Sequence, residues 1–442
     1  VLGFPYIFRG ALDCRATGVN TAMKLAAARA LADLAREDVP DAVLRAYGVD
    51  ALPFGPEYLI PKPFDPRIML WVSPAVARTA MDTGVARRDI PDMEAYRDEL
   101  EARLGKSRQV MRMIINKARR KPQRIVFPEG ESPRILRAAQ IVLDEGIGTP
   151  ILIGSENRIR DVAARHDIKA DLDRIEVANP ETAEWVRRGF ENTLDEKCQR
   201  RGVTRSDAHR LMHRPVLYGI AMVEAGRADA CLCGALPENT CAEVVRHARY
   251  LIDYEDESQG LAGIHIIFAD DRVFFFADTT INIDPGAERI AWITLQAARF
   301  VRELDIEPRI ALVAFSNFGQ SNHIFAAKMA HATRLVKTMA PDLNADGEME
   351  IDMAVNPDLR GRLYPFSTLR GRANTLIFSS VNTANTAYRT ISRIGSAEKL
   401  GPVLLGFRKA IHIIQPDADE AEIVNMAAIA ATDAFKKAAP GA

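Results

Sequence analysis

No apolar run in this 442-residue chain reaches the roughly 18 residues that a helix needs to cross a bilayer, so no membrane span is expected. No secretory signal opens it either, although Val1 is not an initiator Met and reads as already inside a domain, so an upstream segment is expected. A charge excess is also missing: 58 basic against 59 acidic side chains leave a net charge of −1, which argues against a nucleic-acid or membrane-surface partner. The densest basic run, Lys117, Arg119, Arg120, Lys121 and Arg124, reads better as a solvated linker or helix C-terminus, where the dipole favours cations, than as a phosphate grip. Cysteine is scarce and scattered. Cys14, Cys198, Cys231, Cys233 and Cys241 form no C-x-x-C, so neither a disulfide framework nor a cysteine zinc site is indicated, and a reducing cytoplasm is expected. There is no G-x-x-x-x-G-K-[ST] loop, no H-E-x-x-H helix and no strand followed by G-x-G-x-x-G. Asp417, Asp419, Glu420 and Glu422 lack the glycine and spacing of a calcium loop and read as acids on the first turn of a helix. No metal site is expected in the chain.

What is present is length for about three domains at roughly 150 residues each, with 48% apolar and 26% charged residues. The first hundred residues read as helical. Asn20 to Arg36 places Met23, Ala27, Ala30 and Leu34 on one face, with Asn20 as N-cap. Val49 to Arg67, with five prolines, reads as an irregular strap, and a short helix is expected from Pro74 to Thr83, ending at Gly84. Charged helices over Met93 to Leu104 and Gln109 to Arg120 read as connectors, giving a first domain at 1–106 and a second at 107–442. From Lys121 strands and helices alternate, which predicts a largely parallel sheet covered by helices. Arg124 to Pro128, the helix opened by Ser132-Pro133, and Pro150 to Gly154 form one βαβ unit; others recur at Ala228 to Arg246 and Arg309 to Met339. Asp270-Asp271 between Ile264–Ile267 and Val273–Ala277 predicts a hairpin turn.

Open α/β sheets hold ligands at the carboxyl ends of their strands. Ser316, Asn317, Phe318, Gly319, Gln320, Ser321 and Asn322 follow one such strand, and small and amide side chains before a helix N-terminus suit an anionic or polar group. Arg370 to Asn374 and Asn382 to Asn385 surround a second strand, and Arg246 lies on the helix after Gly234-Ala235. Each loop by itself reads better as a turn whose Asn, Ser and Gly satisfy local backbone geometry.

Seven phrases in order, RIVFPEGE from Arg124, GRADACLCGA, FFFADTTINIDPGAE, DGEMEIDMAV, GRANTLIFSSVNTAN, LGPVLLGF and EIVNMAAIAA, resemble the phosphotransacetylase family over residues 121–436. The resemblance implies a two-subdomain parallel-sheet α/β fold. It also implies a cleft for coenzyme A and acetyl phosphate, with arginines for the phosphate, a serine hydroxyl near the transition state and an acid that helps deprotonate the thiol. Counted back from Ile423, the acid falls on Glu422, but the family's Ser-Arg pair falls on Gln415 and Pro416. The lysine of the loop after Phe315 is replaced by Phe318. One phosphate arginine is matched by Arg246, while the other falls near Cys198, with Arg200 and Arg201 displaced.

VLGFPYIFRGALDCRA, MKLAAARALADLA, LIPKPFDPRI and SPAVARTAMDTGVA resemble the end of the Rossmann-like cofactor domain of a malic enzyme, an order similar to that of the bacterial hybrid malic enzymes. That resemblance implies malate oxidation to pyruvate and CO2 with NADP and Mg2+ or Mn2+, by residues that would lie upstream of Val1. For this chain it implies a non-catalytic, cytoplasmic domain that binds acetyl-CoA, inhibits the parent allosterically and assembles it as a homo-oligomer. The expected acetyl-CoA contacts are Arg246, Ser316, Asn317, Asn322, Arg372, Asn374, Asn382 and Asn385, with Gln415, Pro416 and Glu422 as former catalytic positions. An active phosphate acetyltransferase is the alternative.

Overall fold

A computed structural model describes the chain except residues 1–2, 40–42, 45–51, 57, 64, 66, 103–105, 257–259, 270–271, 396 and 439–442. The chain divides into two compact units, Val1–Arg112 and Met113–Ala442. The division falls inside the helix Lys106–Arg120, a few residues past the 106/107 boundary expected from composition.

In the first unit Met23, Ala27, Ala30 and Leu34 of the helix Thr21–Leu34 pack on Ile68, Val72, Val76 and Ala80 of the helix Arg67–Asp82. Asn20 caps the former, its side-chain oxygen accepting the Met23 N–H at 2.9 Å. The second helix is longer than expected. Pro74 lies in its interior rather than at its start, and although proline removes one backbone donor, burial of Ile68, Val72, Val76 and Ala77 keeps the helix continuous. The helix Gly3–Asp13 crosses it at Gly10, where a Cβ would sit 2.4 Å from the Ser73 carbonyl. The Val49–Arg67 strap falls partly outside the described residues. Within it Asp65 is fully buried and paired with Arg67 at 2.8 Å.

The second unit contains two sheets. The first is all parallel, in the order β11-β4-β1-β2-β3; its strands are β1 (Gln123–Phe127), β2 (Gly148–Ile153), β3 (Glu176–Ala178), β4 (Ala230–Cys233) and β11 (Ala410–Ile413). The apolar runs of β1, β2, β4 and β11 are buried on both faces, as parallel strands covered by helices require, whereas the edge strand β3 is only half-buried. The second sheet is mixed, in the order β10-β5-β6-β9-β7-β8. It comprises β5 (Ala262–Ala269), β6 (Arg272–Ala277), β7 (Ile310–Val313), β8 (Ala345–Met349), β9 (Thr375–Ile377) and β10 (Glu398–Leu405). The last four strands of that order run parallel, whereas β5 is antiparallel to both its neighbours, so the sheet is less uniformly parallel than the strand-helix rhythm predicts. Asp270 and Asp271 lie outside the described residues; the flanking strands pair antiparallel up to Ala269 and Arg272.

The chain leaves the mixed sheet at β10 and enters the edge of the parallel sheet as β11. The final helix, Glu420–Ala438, buries Ile423, Val424, Met426, Ala427 and Ile429. The polypeptide between β11 and this helix, which carries Gln415 and Pro416, thus lies at a carboxyl edge of the first sheet, while β10 ties it to the second.

Candidate functional site

Gln415 emerges from the end of β11, and its side chain makes a hydrogen bond with every group it has. Its carbonyl accepts from Lys399 Nζ at 3.1 Å, and its amide nitrogen lies 3.2 Å from the Tyr388 hydroxyl and 3.0 Å from His265 Nε2. The protons around His265 follow from neighbouring donors. The Thr279 hydroxyl donates to the Gly263 carbonyl, so Thr279 Oγ1 accepts from His265 Nδ1 at 2.7 Å. The other ring nitrogen, Nε2, is then the acceptor for the Gln415 amide. This neutral tautomer agrees with the electrostatics: burial, aided by Lys399 and Arg389, holds His265 well below its usual pKa. The imidazole stacks on Tyr388, with ring centroids 4.1 Å apart and planes 17° from parallel.

Lys399 connects this network to acids on the other side. Its ammonium reaches Asp417 at 3.4 Å and Glu422 at 3.5 Å, the latter within ion-pair range but without hydrogen-bond geometry, so Glu422 Oε1 is buried without a hydrogen-bond partner. Burial is the largest influence on Glu422 and outweighs Lys399, and the nearby Asp419 and Asp417 charges push the same way; the carboxyl is raised to about 7. Pro416 contributes only a carbonyl, which accepts from Arg134 Nη1 at 2.9 Å. Neither Gln415 nor Pro416 itself carries a hydroxyl or a guanidinium; the groups of those kinds at this point are the Tyr388 hydroxyl and the Arg134 guanidinium, each supplied from another element.

The loop after β7 is folded against its own subdomain. Asn317 clasps Glu350, accepting its N–H at 2.8 Å and donating to its carboxylate at 2.7 Å, and the Ser316 hydroxyl accepts the Ser321 N–H. Both residues are buried, so they brace the loop. Phe318, at φ 49°, packs its ring 5.1 Å from both Tyr364 and Phe366, turned into an aromatic cluster. Asn322 is exposed.

Asn382 and Asn385 lie on the first turns of the helix Val381–Ile394, after the carboxyl end of β9. Asn382 is exposed, whereas Asn385 accepts from Arg389 Nε at 2.9 Å and donates to the Tyr388 hydroxyl at 3.4 Å, which places it in the Gln415 network. Lys328 is brought to the same edge, donating to Asp284 at 2.6 Å and to the Ser379 carbonyl at 3.1 Å.

Two expected site residues are misplaced. Arg372 and Asn374 precede β9, at the amino edge of the parallel strands and therefore opposite the loops after β7 and β9. Asn374 accepts the Arg309 N–H at 2.8 Å and donates to the Glu307 carbonyl at 2.9 Å, joining the entrances of β7 and β9, while the Arg372 carbonyl accepts from Arg309 Nε. The sequence shows a polar loop beside a strand, but which end of the strand it occupies depends on the strand's direction. Arg246 is likewise apart from the Gln415 network. It pairs with Glu243 at 3.3 Å and lines, with Arg201, Arg249, Tyr250 and Tyr254, a depression of about 600 Å³. Cys198, at the place of a second phosphate arginine, is buried and donates to the Tyr250 carbonyl.

Sequence reasoning missed His265, Tyr388 and Lys399. His265 and Lys399 lie on adjacent antiparallel strands, β5 and β10, and Tyr388 on a helix beside them. Only the mixed sheet brings all three together.

Among the described residues, no group of three or more His, Cys, Asp or Glu could hold a metal ion, and no helix is long and apolar enough to cross a membrane.

The chain is 41% identical to the NADP-dependent malic enzyme of Escherichia coli, over 98% of this chain and 57% of that protein. It is 39% identical to the NAD-dependent malic enzyme of Rhizobium meliloti, over 98% and 56%. The chain thus spans little more than half the length of these curated relatives. A phosphotransacetylase structure from Streptococcus pyogenes superposes with a TM-score of 0.69 at 27% identity, covering 74% of this chain and 99% of the other. The match to phosphate acetyl/butaryl transferase runs over residues 109–431, and the chain belongs to that family.

Proposed function

We propose that residues 107–442 form a non-catalytic, acetyl-CoA-binding domain that regulates and oligomerises a cytoplasmic malic enzyme, whose reaction is malate plus NADP to pyruvate, CO2 and NADPH with Mg2+ or Mn2+. Support for the partner activity is the likeness to malic enzymes over nearly the whole chain. Support for loss of transferase chemistry is one observation. The position that should present a serine hydroxyl holds Gln415, whose carbonyl and amide are engaged with Lys399, Tyr388 and His265. An amide so committed neither attacks nor donates to a developing charge, and Pro416 supplies no cation for a phosphate.

The ligand-facing groups in this reading are Asn382, Asn385 and Asn322 at the carboxyl edge of the mixed sheet, with Arg246 offering a cation to a phosphate. Ser316 and Asn317 shape the loop beneath them. Inhibition then needs two states of the parent that differ in acetyl-CoA affinity, with a coupling usually worth about 1–3 kcal/mol. Calorimetry of the full chain with acetyl-CoA is expected to show saturable binding that weakens in Asn385→Ala and Arg246→Ala. Absence of binding removes the ligand assignment.

The raised Glu422 carboxyl favours a second reading, an active phosphate acetyltransferase, since an acid near neutrality suits proton abstraction from a thiol. Turnover of acetyl phosphate and CoA by the chain, abolished in Glu422→Gln, would establish it instead.

A further inference from the structure

Away from the Gln415 network, two histidines share one face of a short helix. His209 and His213 are four residues apart, on and just after the helix Arg205–Met212, and His213 keeps right-handed helical geometry at φ −79°, ψ −12°. Residues at this spacing are neighbours on a helix surface. Their ring centroids are 5.1 Å apart. With Zn–N bonds of about 2.0–2.1 Å, two imidazoles on one tetrahedral ion have centroids about 5 Å apart.

Each ring is also backed by a carboxylate on the same nitrogen. His209 Nδ1 lies 3.0 Å from Glu191 Oε1 and His213 Nδ1 lies 2.8 Å from Glu181 Oε1. A carboxylate accepts, so it selects the Nδ1–H tautomer and leaves Nε2 with a free lone pair, the arrangement found behind metal-bound histidines. The nearby cations are neutralised locally: Arg187 pairs with Glu191 at 3.2 Å and Arg210 with Asp207 at 2.6 Å. Both histidine side chains are accessible, 59% and 32% exposed. The helix is fixed by a capping box between Thr204 and Asp207, so the pair is presented on a braced element.

We propose that His209 and His213 form a two-point chelate, through Nε2 of each, for a divalent transition-metal ion of the Zn2+ or Ni2+ type. Glu191 and Glu181 are its positioning residues. Two protein ligands leave the remaining positions to water or an incoming donor, and the spacing is that of a zinc helix without its glutamate base, so the site binds rather than hydrolyses. Bound metal ties together the segment after β3, the helix Glu184–Cys198 and the helix Arg205–Met212, which supply Glu181, Glu191 and the two histidines.

Calorimetry of the full chain with Zn2+ and with Ni2+, in a non-chelating buffer, tests this. One ion per chain is expected. His209→Ala and His213→Ala should each weaken binding at least about tenfold, and Glu181→Gln or Glu191→Gln about 10–100-fold. His209, His213 and Glu181 are accessible, whereas Glu191 is only 16% exposed and pairs with buried Arg187, so Glu181→Gln is the cleaner positioning variant, and an unchanged circular dichroism spectrum separates loss of the site from loss of fold. Wild-type binding that persists undiminished in the double variant His209→Ala/His213→Ala places the metal elsewhere and overturns the proposal, as does absence of binding by the wild-type chain.

Discussion

Replacing Glu422 by Gln removes an ionisable group whose neutral form the fold favours. The carboxyl stands at an ordinary 4.5 in the unfolded chain and at about 7 in the folded one, chiefly through burial. About 2.5 units of difference, at about 1.36 kcal/mol each, correspond to a linkage on the order of 3 kcal/mol. The group is only 13% exposed, so solvent screening takes little from this. Its sign follows from proton counts. Between pH 4.5 and 7 the native state binds the proton and the unfolded state has lost it, so stability falls with rising pH across that window and is constant above it. His265 slopes the other way: its depressed pKa costs stability as pH falls below its ordinary value near 6.5. The difference between Glu422→Gln and wild type isolates the carboxyl, because His265 is common to both. Potentiometric difference titration of the folded proteins should show one group titrating near 7, and urea unfolding should show the variant gaining about 3 kcal/mol on wild type between pH 4.5 and 8. A difference curve centred near 4.5, with a stability gap that does not change with pH, would refute burial as the dominant influence and make Lys399 the controlling partner.

Lys399→Met removes the only cation within 4 Å of Glu422 among the described residues and leaves the Gln415 carbonyl without a donor. Difference titration should find Glu422 above 7, and urea unfolding at pH 8 a loss of about 3 kcal/mol, the usual result of breaking one side of a buried pair. Asn374→Ala should cost about 2–3 kcal/mol in urea unfolding, since it deletes bonds to Arg309, Glu307 and Thr375, while leaving acetyl-CoA affinity unchanged because Asn374 sits at the amino edge. Asn385→Ala should reverse that pattern, costing affinity more than stability.

How much of this was legible in the sequence depended on the range of the interaction involved. Asn20 capping Met23, the apolar face of Thr21–Leu34 and the left-handed Gly84 after Asp82 are local, set by residues within a turn of each other, and the sequence shows them directly. Pro74 misleads for the same reason: its local preference marks a helix start, and only burial of Val72 and Val76 against the neighbouring helices shows why the helix begins at Arg67. Strand direction is non-local, so the polar residues around β9 looked equivalent until β6, β9, β7 and β8 were seen to run parallel. Asn374 then falls at their entrances and Asn385 beyond the exit of β9.

Gln415 joins the local and the distant. A sequence offset from Ile423 identifies the position, but reads there only the loss of a serine. The fold shows that the loss was filled: the amide links His265 on β5, Lys399 on β10 and Tyr388 on the helix Val381–Ile394, three elements of the mixed sheet's subdomain, to the end of β11 in the parallel sheet. Here the same position fastens one sheet to the other, while the acid beside it stays buried and half-protonated near neutrality. If the chain senses a ligand as proposed, this link is where a change in one subdomain would reach the other, and Gln415→Ala should uncouple them while leaving each sheet intact.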